Sequence, residues 1–173
     1  MAIYKVVSGH KYTLTGAINY TRDTALHNDK ILCSGGYGVS PTNPIEDMLF
    51  VKQCFNKPDG NEYYHIVLSL EENEHPNQDQ LVSLFEEYGN YIYISTGCQV
   101  SFSIHGSTNH LHCHYIINSV TMVNGNKLNF DYSMFYNLRT GIDILLFKHG
   151  LQPLRKIISE KKMKNHALLR GSF

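Results

Sequence analysis

Between positions 99 and 118 the chain reads QVSFSIHGSTNHLHCHYIIN, and polar and apolar positions alternate through it twice. Val100, Phe102 and Ile104 interleave with Ser101, Ser103 and His105, the period-2 pattern of a half-buried strand. Gly106, Ser107, Thr108 and Asn109 then supply a turn. Beyond it, His110, His112 and His114 fall on one face and Leu111, Cys113 and Tyr115 on the other. The pattern predicts an antiparallel hairpin. One face is apolar and faces a core; the other carries Ser101, Ser103 and four imidazoles.

The same reading extends along the chain. Ala2 to Val7 alternates weakly, as a first strand does, and Tyr12 to Arg22 is a helix with Leu14, Ala17 and Ile18 on its apolar stripe. Residues 32–44, LCSGGYGVSPTNP, are rich in turn formers and read as a loop or a short strand with bends. Asn43-Pro44-Ile45-Glu46 is a helix start, with a cap, a proline at the first position and a capping-box glutamate. Met48, Val51 and Phe55 form that helix's buried stripe, and Lys57-Pro58-Asp59-Gly60 turns the chain. Tyr63 to Leu70 is a strand with His65, Val67 and Ser69 on one face. An acidic helix follows Pro76, marked by Leu81, Phe85 and Tyr88, and residues 91–94 either prolong it or form a strand of their own. After the hairpin come a turn at 123–126, a short strand over 127–130 and a helix over 131–149 that Gly150 stops. The order β-α-α-β-α-β-β-β-α implies an α+β fold: an antiparallel-rich central sheet with helices packed on one face and the histidine-bearing hairpin on the open face.

Composition narrows this picture. Of 173 residues, 42% are hydrophobic and 17% charged, which excludes a disordered chain. No apolar run approaches the roughly 20 residues of a membrane helix, and the N-terminal MAIYKVVSGHKYT lacks a signal-peptide core, so the expected location is the cytoplasm, without a membrane partner. The four cysteines have no CxxC spacing, and Cys113 reads as a core filler. A net charge of zero provides no global argument for a polyanionic partner, although charge is segregated. Residues 71–87 are acidic, whereas 155–170 hold Arg155, Lys156, Lys161, Lys162, Lys164 and Arg170 against Glu160 alone. Residues 1–151 thus form the domain, and 152–173 a basic, helical tail or the opening of a further region.

The histidines are the strongest chemical signal. Side chains two apart on a strand point the same way, so His112 and His114 can meet one ion. A third imidazole from the neighbouring strand completes a facial set with open coordination positions. Hairpin geometry alone leaves the choice of third ligand between His105 and His110, which flank one turn. Neutral imidazole suits zinc, manganese, iron, nickel or copper.

These pieces resemble a family. His105-Gly-Ser-Thr-Asn-His110-Leu-His112-Cys-His114, running into Tyr115-Ile-Ile-Asn118, is similar to the histidine motif of relaxases, the HUH-type mobilisation nucleases of conjugative plasmids and transposons. AINYTRD (17–23) resembles their nucleophile motif, YYHIVLSLEENE (63–74) their H-x-x-x-S-F strand, and 127–151 the helix after the histidines. The resemblance implies a bacterial enzyme that nicks single-stranded or hairpin DNA at a transfer origin, leaves a 5′-phosphotyrosine and later rejoins the strand. It implies accessory relaxosome and coupling proteins as partners, and export of the covalent complex to a recipient cell. Carried over by position, Tyr20 is the nucleophile, and His105, His112 and His114 hold a divalent metal, Mn or Mg, with Zn or Ni as substitutes. His110 and His65 are supporting or DNA-contacting residues. Asp23 is a stand-in for the aspartate that the family often places two residues after the first histidine, where this chain has Ser107. Arg22, Lys30 and Lys127 are candidate phosphate contacts, and Tyr12, Tyr37 and Phe130 candidate base-stacking residues. Two alternatives remain. An HUH-type replication initiator would use a downstream tyrosine such as Tyr132 or Tyr136, and an unrelated histidine-metal hydrolase would need no tyrosine at all.

Overall fold

The computed structural model describes residues 3–7, 13–23, 31–70, 77–106 and 111–154. Five strands and four helices follow in the order β1 (Ile3–Val7), α1 (Leu14–Arg22), β2 (Ile31–Tyr37), α2 (Pro44–Cys54), β3 (Tyr63–Ser69), α3 (Gln78–Thr96), β4 (Cys98–His105), β5 (His112–Thr121) and α4 (Tyr132–Lys148). One sheet takes all five strands in the order β1-β3-β5-β4-β2, each pair antiparallel. The expected α+β class therefore holds, and the predicted hairpin β4–β5 lies at the sheet's centre with His105 opposite His112 and Ser103 opposite His114.

Alternation divides the sheet residues between two cores. Val100, Phe102, Ile104, Cys113, Tyr115 and Ile117 meet Leu81, Leu84, Phe85, Tyr88 and Ile92 of α3 and Leu138, Ile142 and Leu146 of α4. The opposite face carries a second, smaller core in which Leu14, Ala17 and Ile18 of α1 and Met48 of α2 cover Tyr63 and Ile116. Helices thus pack on both faces, not one as the element order suggested. A nine-residue helix has too few backbone hydrogen bonds to be stable alone, so α1 owes its existence to this contact. Its N-terminal end is fixed: Thr13 Oγ1 accepts from the Gly16 amide at 3.1 Å, and Glu62 Oε2 accepts from the Leu14 amide at 2.7 Å.

Two further expectations resolve. The glycine-rich stretch, read as a loop or a short strand with bends, holds most of β2, an edge strand paired with β4. Its glycines serve packing: a Cβ on Gly35 would lie 2.5 Å from the Phe102 ring, and one on Gly36 would lie 2.7 Å from the Val100 carbonyl. Residues 91–94 continue α3, because Leu81, Phe85, Tyr88 and Ile92 keep helical spacing on one buried stripe. Asn77 caps the start through Gln80 N, and Gly97, at φ 66°, ends the helix in the left-handed conformation that glycine adopts most readily. Past α4, Leu151 and Leu154 are buried; Leu154 N donates to Asp143 and its carbonyl accepts from Arg139. The basic segment from 155 onward lies outside the described residues.

Candidate metal centre and the helix end beside it

β4 and β5 bring three imidazoles together. The ring centroids of His105, His112 and His114 are 5.1, 4.9 and 5.1 Å apart, a nearly equilateral triangle. One nitrogen from each ring lies within 4.8 Å of the other two, so the three can hold one metal ion. The face is less open than an exposed hairpin would be. His105, Ser101 and Ser103 are buried, and His112 and His114 are half-buried.

Neighbours orient two of the rings. His105 Nε2 lies 2.8 Å from the Thr21 carbonyl. A carbonyl only accepts, so the His105 proton sits on Nε2 and its Nδ1 lone pair is the one able to face a metal. His114 Nδ1 lies 2.9 Å from His65 Nε2, which leaves His114 Nε2 for an ion. Burial, and secondarily the charge of Lys5, push the His65 pKa down to about 4, so this imidazole is neutral at pH 7 and can accept. Three imidazole donors, two of them held by neighbouring groups, fit a divalent transition metal.

The Thr21 contact also places α1. Thr21 ends the buried stripe of that helix, and its carbonyl is among those left without an intrahelical partner at a helix C-terminus. The turn of α1 that contains Tyr20 therefore abuts the histidine cluster. Tyr20 itself is half-buried, and Asp23 follows as the C-cap.

The other sequence candidates separate. Arg22 is not arrayed toward solvent; it donates to Gly35 O, Pro41 O and Ser101 Oγ. Tyr37 belongs to the α3 face, stacked with Phe102 and donating to the Glu86 carbonyl at 2.9 Å. Phe130 stacks on Tyr64, whose side chain faces the same core. Neither aromatic shares the histidine face. Tyr12, Lys30, Ser107 and His110 lie outside the described residues. Thr21 and Ser101 were missed by sequence reasoning. Thr21 acts through a backbone carbonyl, which carries no residue signature, and Ser101 looked like one more polar strand position.

Lys127 sits elsewhere. It and Lys52 both donate to Ser119 Oγ, at 3.3 and 3.0 Å, and Ser119 is five residues, about 17 Å, along β5 from His114. Lys52 is buried, and desolvation, reinforced by Lys127, lowers its pKa to about 8. Its folded-state pKa thus lies below the unfolded value of about 10.4. The cost of burying this charge is fully present below pH 8 and fades as pH rises to about 10.5. Lys52→Met should therefore gain stability relative to wild type at pH 7, and that relative gain should shrink between pH 8 and 10.5. Urea unfolding of both proteins across this range checks it; a pH-independent difference would refute the assignment.

Comparisons with known proteins show the family and the fold. The family described as "Relaxase: MobA/VirD2-like, nuclease domain" matches residues 20–151. The chain belongs to this family. It is 30% identical over 151 residues to Protein rlx of Staphylococcus aureus, covering 86% of this chain and 41% of that relative's length. Two solved structures share the fold at 12% identity, each with a TM-score of 0.63. One comes from work on the molecular basis of vancomycin resistance transfer in Staphylococcus aureus, and the match covers 86% of this chain and 92% of the other. The second is the MobM relaxase domain with manganese and plasmid pMV158 oriT DNA, where the match covers 96% and 98%. Among the described residues no helix is long and apolar enough to cross a membrane.

Proposed function

We propose that this relaxase domain nicks single-stranded DNA at a transfer origin by transesterification, with Tyr20 as nucleophile and His105, His112 and His114 as ligands of a divalent metal, Mn or Mg. The observation that carries the reading is the hydrogen bond from His105 to Thr21, which joins the three-histidine cluster to the helix turn bearing Tyr20. The Tyr20 phenolic oxygen attacks the scissile phosphorus. The bond from phosphorus to tyrosine forms as the bond to the 3′ oxygen breaks; the phenol loses its proton and the 3′ oxygen gains one. The 5′-phosphotyrosine keeps the ester bond energy, so the free 3′ hydroxyl can reverse the step and rejoin the strand. A bound divalent ion would supply Lewis-acid stabilisation of the phosphate charge. His65 and Thr21 hold the ligand rings in the required tautomers. The replication-initiator alternative is disfavoured because Tyr132 and Tyr136 lie on α4, which packs with α3 against the opposite sheet face. The DNA partner, the accessory and coupling proteins, and passage of the adduct from a bacterial cytoplasm into a recipient cell belong to the same proposal.

The test uses labelled single-stranded oligonucleotides tiled across the DNA flanking the protein's own gene, with Mn²⁺, on a denaturing gel. A protein-linked band that EDTA abolishes is expected. Cleavage without any adduct would overturn tyrosine transesterification, and binding without cleavage on every oligonucleotide would overturn the enzymatic reading.

A further inference from the structure

We infer that Arg22 is a positioning residue: its guanidinium clamps the C-terminal end of α1 to β2 and β4 and so presents Tyr20 to the histidine cluster, without binding DNA phosphate. The inference rests on reading Tyr20 as the nucleophile. A helix as short as α1 needs its end fixed by the rest of the fold, and one hydrogen bond at the Thr21 carbonyl does not stop it from rolling. Arg22 adds three more. NH2 donates to the Gly35 carbonyl and to Ser101 Oγ, both at 3.0 Å, and NH1 donates to the Pro41 carbonyl at 2.6 Å.

These acceptors belong to three segments: the edge strand β2, the central strand β4 and the turn before α2. Ser101 shares both strand and face with His105, four residues further on. One strand therefore carries a candidate ligand and an anchor of the clamp, and residues 20–22 are tied to both. Arginine recognises phosphate through the paired donors of its terminal nitrogens. Here three of its five N–H groups, including both on NH2, are already given to protein acceptors. Half-burial also lowers the Arg22 pKa, as expected for a guanidinium turned into the fold. Lysine, a single ammonium point, cannot span the same three acceptors.

Arg22→Lys, Arg22→Gln and Ser101→Ala test the clamp against a phosphate contact. Affinity for the origin oligonucleotide is read by fluorescence anisotropy in EDTA at several salt concentrations. The adduct rate is read in single turnover at saturating DNA and Mn²⁺. The clamp predicts unchanged affinity and salt slope, with a rate lower by about 10- to 100-fold in both Arg22 variants. Ser101→Ala, which removes one acceptor, should fall less, and it decides the matter if the Arg22 variants do not fold. Weaker binding with a salt slope reduced by about one, restored by lysine, would identify a phosphate contact and overturn the inference. An unchanged rate in every variant would also overturn it. If the wild-type protein forms no adduct, the relaxase chemistry fails separately. Amide hydrogen exchange over residues 18–22 then decides the clamp: faster exchange in Arg22→Gln supports it, and identical exchange refutes it.

Discussion

Replacing Tyr20 with phenylalanine is expected to abolish the covalent DNA adduct, by more than about a thousandfold in rate, because it removes the attacking oxygen outright. Little else should change. Tyr20 is half-buried on α1, while the stripe that packs the helix is Leu14, Ala17, Ile18 and Thr21. Phenylalanine keeps the ring, so the fold and the His105–Thr21 contact should persist and DNA affinity should stay within about threefold. The measurement is single-turnover adduct formation beside anisotropy on the same oligonucleotide. An adduct that survives Tyr20→Phe and falls with Tyr132→Phe or Tyr136→Phe would keep the enzyme class and remove Tyr20 from it. That outcome would require α4, which packs across the sheet, to deliver the nucleophile.

The second large effect concerns metal affinity. His114→Ala removes one of three donors and should weaken Mn²⁺ binding, measured by calorimetry without DNA, by at least about 100-fold. His65→Ala should cost about 10- to 100-fold, the usual price of removing an outer partner of a ligating imidazole. His65→Gln sharpens the test. Its amide oxygen reaches roughly where His65 Nε2 lies, 2.9 Å from His114 Nδ1, and can accept the same proton. Glutamine should therefore recover most of the affinity that alanine loses. Equal losses for both substitutions would mean that His65 merely fills space. Undiminished Mn²⁺ affinity in His114→Ala would remove that residue from the ligand set. These readouts need neither DNA nor turnover.

Much of this site was legible in the sequence because it lies on one hairpin. Local periodicity puts His112 and His114 on the same face, and a short turn brings His105 opposite His112. His65 was foreseen as a neighbour because its strand has the same alternation. The register of β3 against β5, with Val67 opposite His114, is what brings its ring within hydrogen-bonding distance of that ligand. β2 was harder. Gly35 and Gly36 mark turns when read locally, which left loop and strand both open, and the Phe102 ring and the Val100 carbonyl behind them show why this strand carries glycine. The partners of Arg22 were hidden for the same reason. A basic residue beside a nucleophile motif suggests a phosphate, and nothing in residues 17–23 foretells acceptors at 35, 41 and 101.

The sequence by itself determined the α+β class, the central hairpin, its histidine-rich face and the resemblance to relaxases, because each rests on short-range periodicity or on residue types at fixed spacing. Tertiary structure decided which helix end meets the histidines, which ring nitrogens of His105 and His114 meet a neighbour, and that helices cover both sheet faces. Those features depend on contacts between residues some 50 to 85 positions apart, such as His65 with His114 and Thr21 with His105. They depend also on backbone carbonyls, which every residue possesses and which therefore leave no trace in the order of side chains.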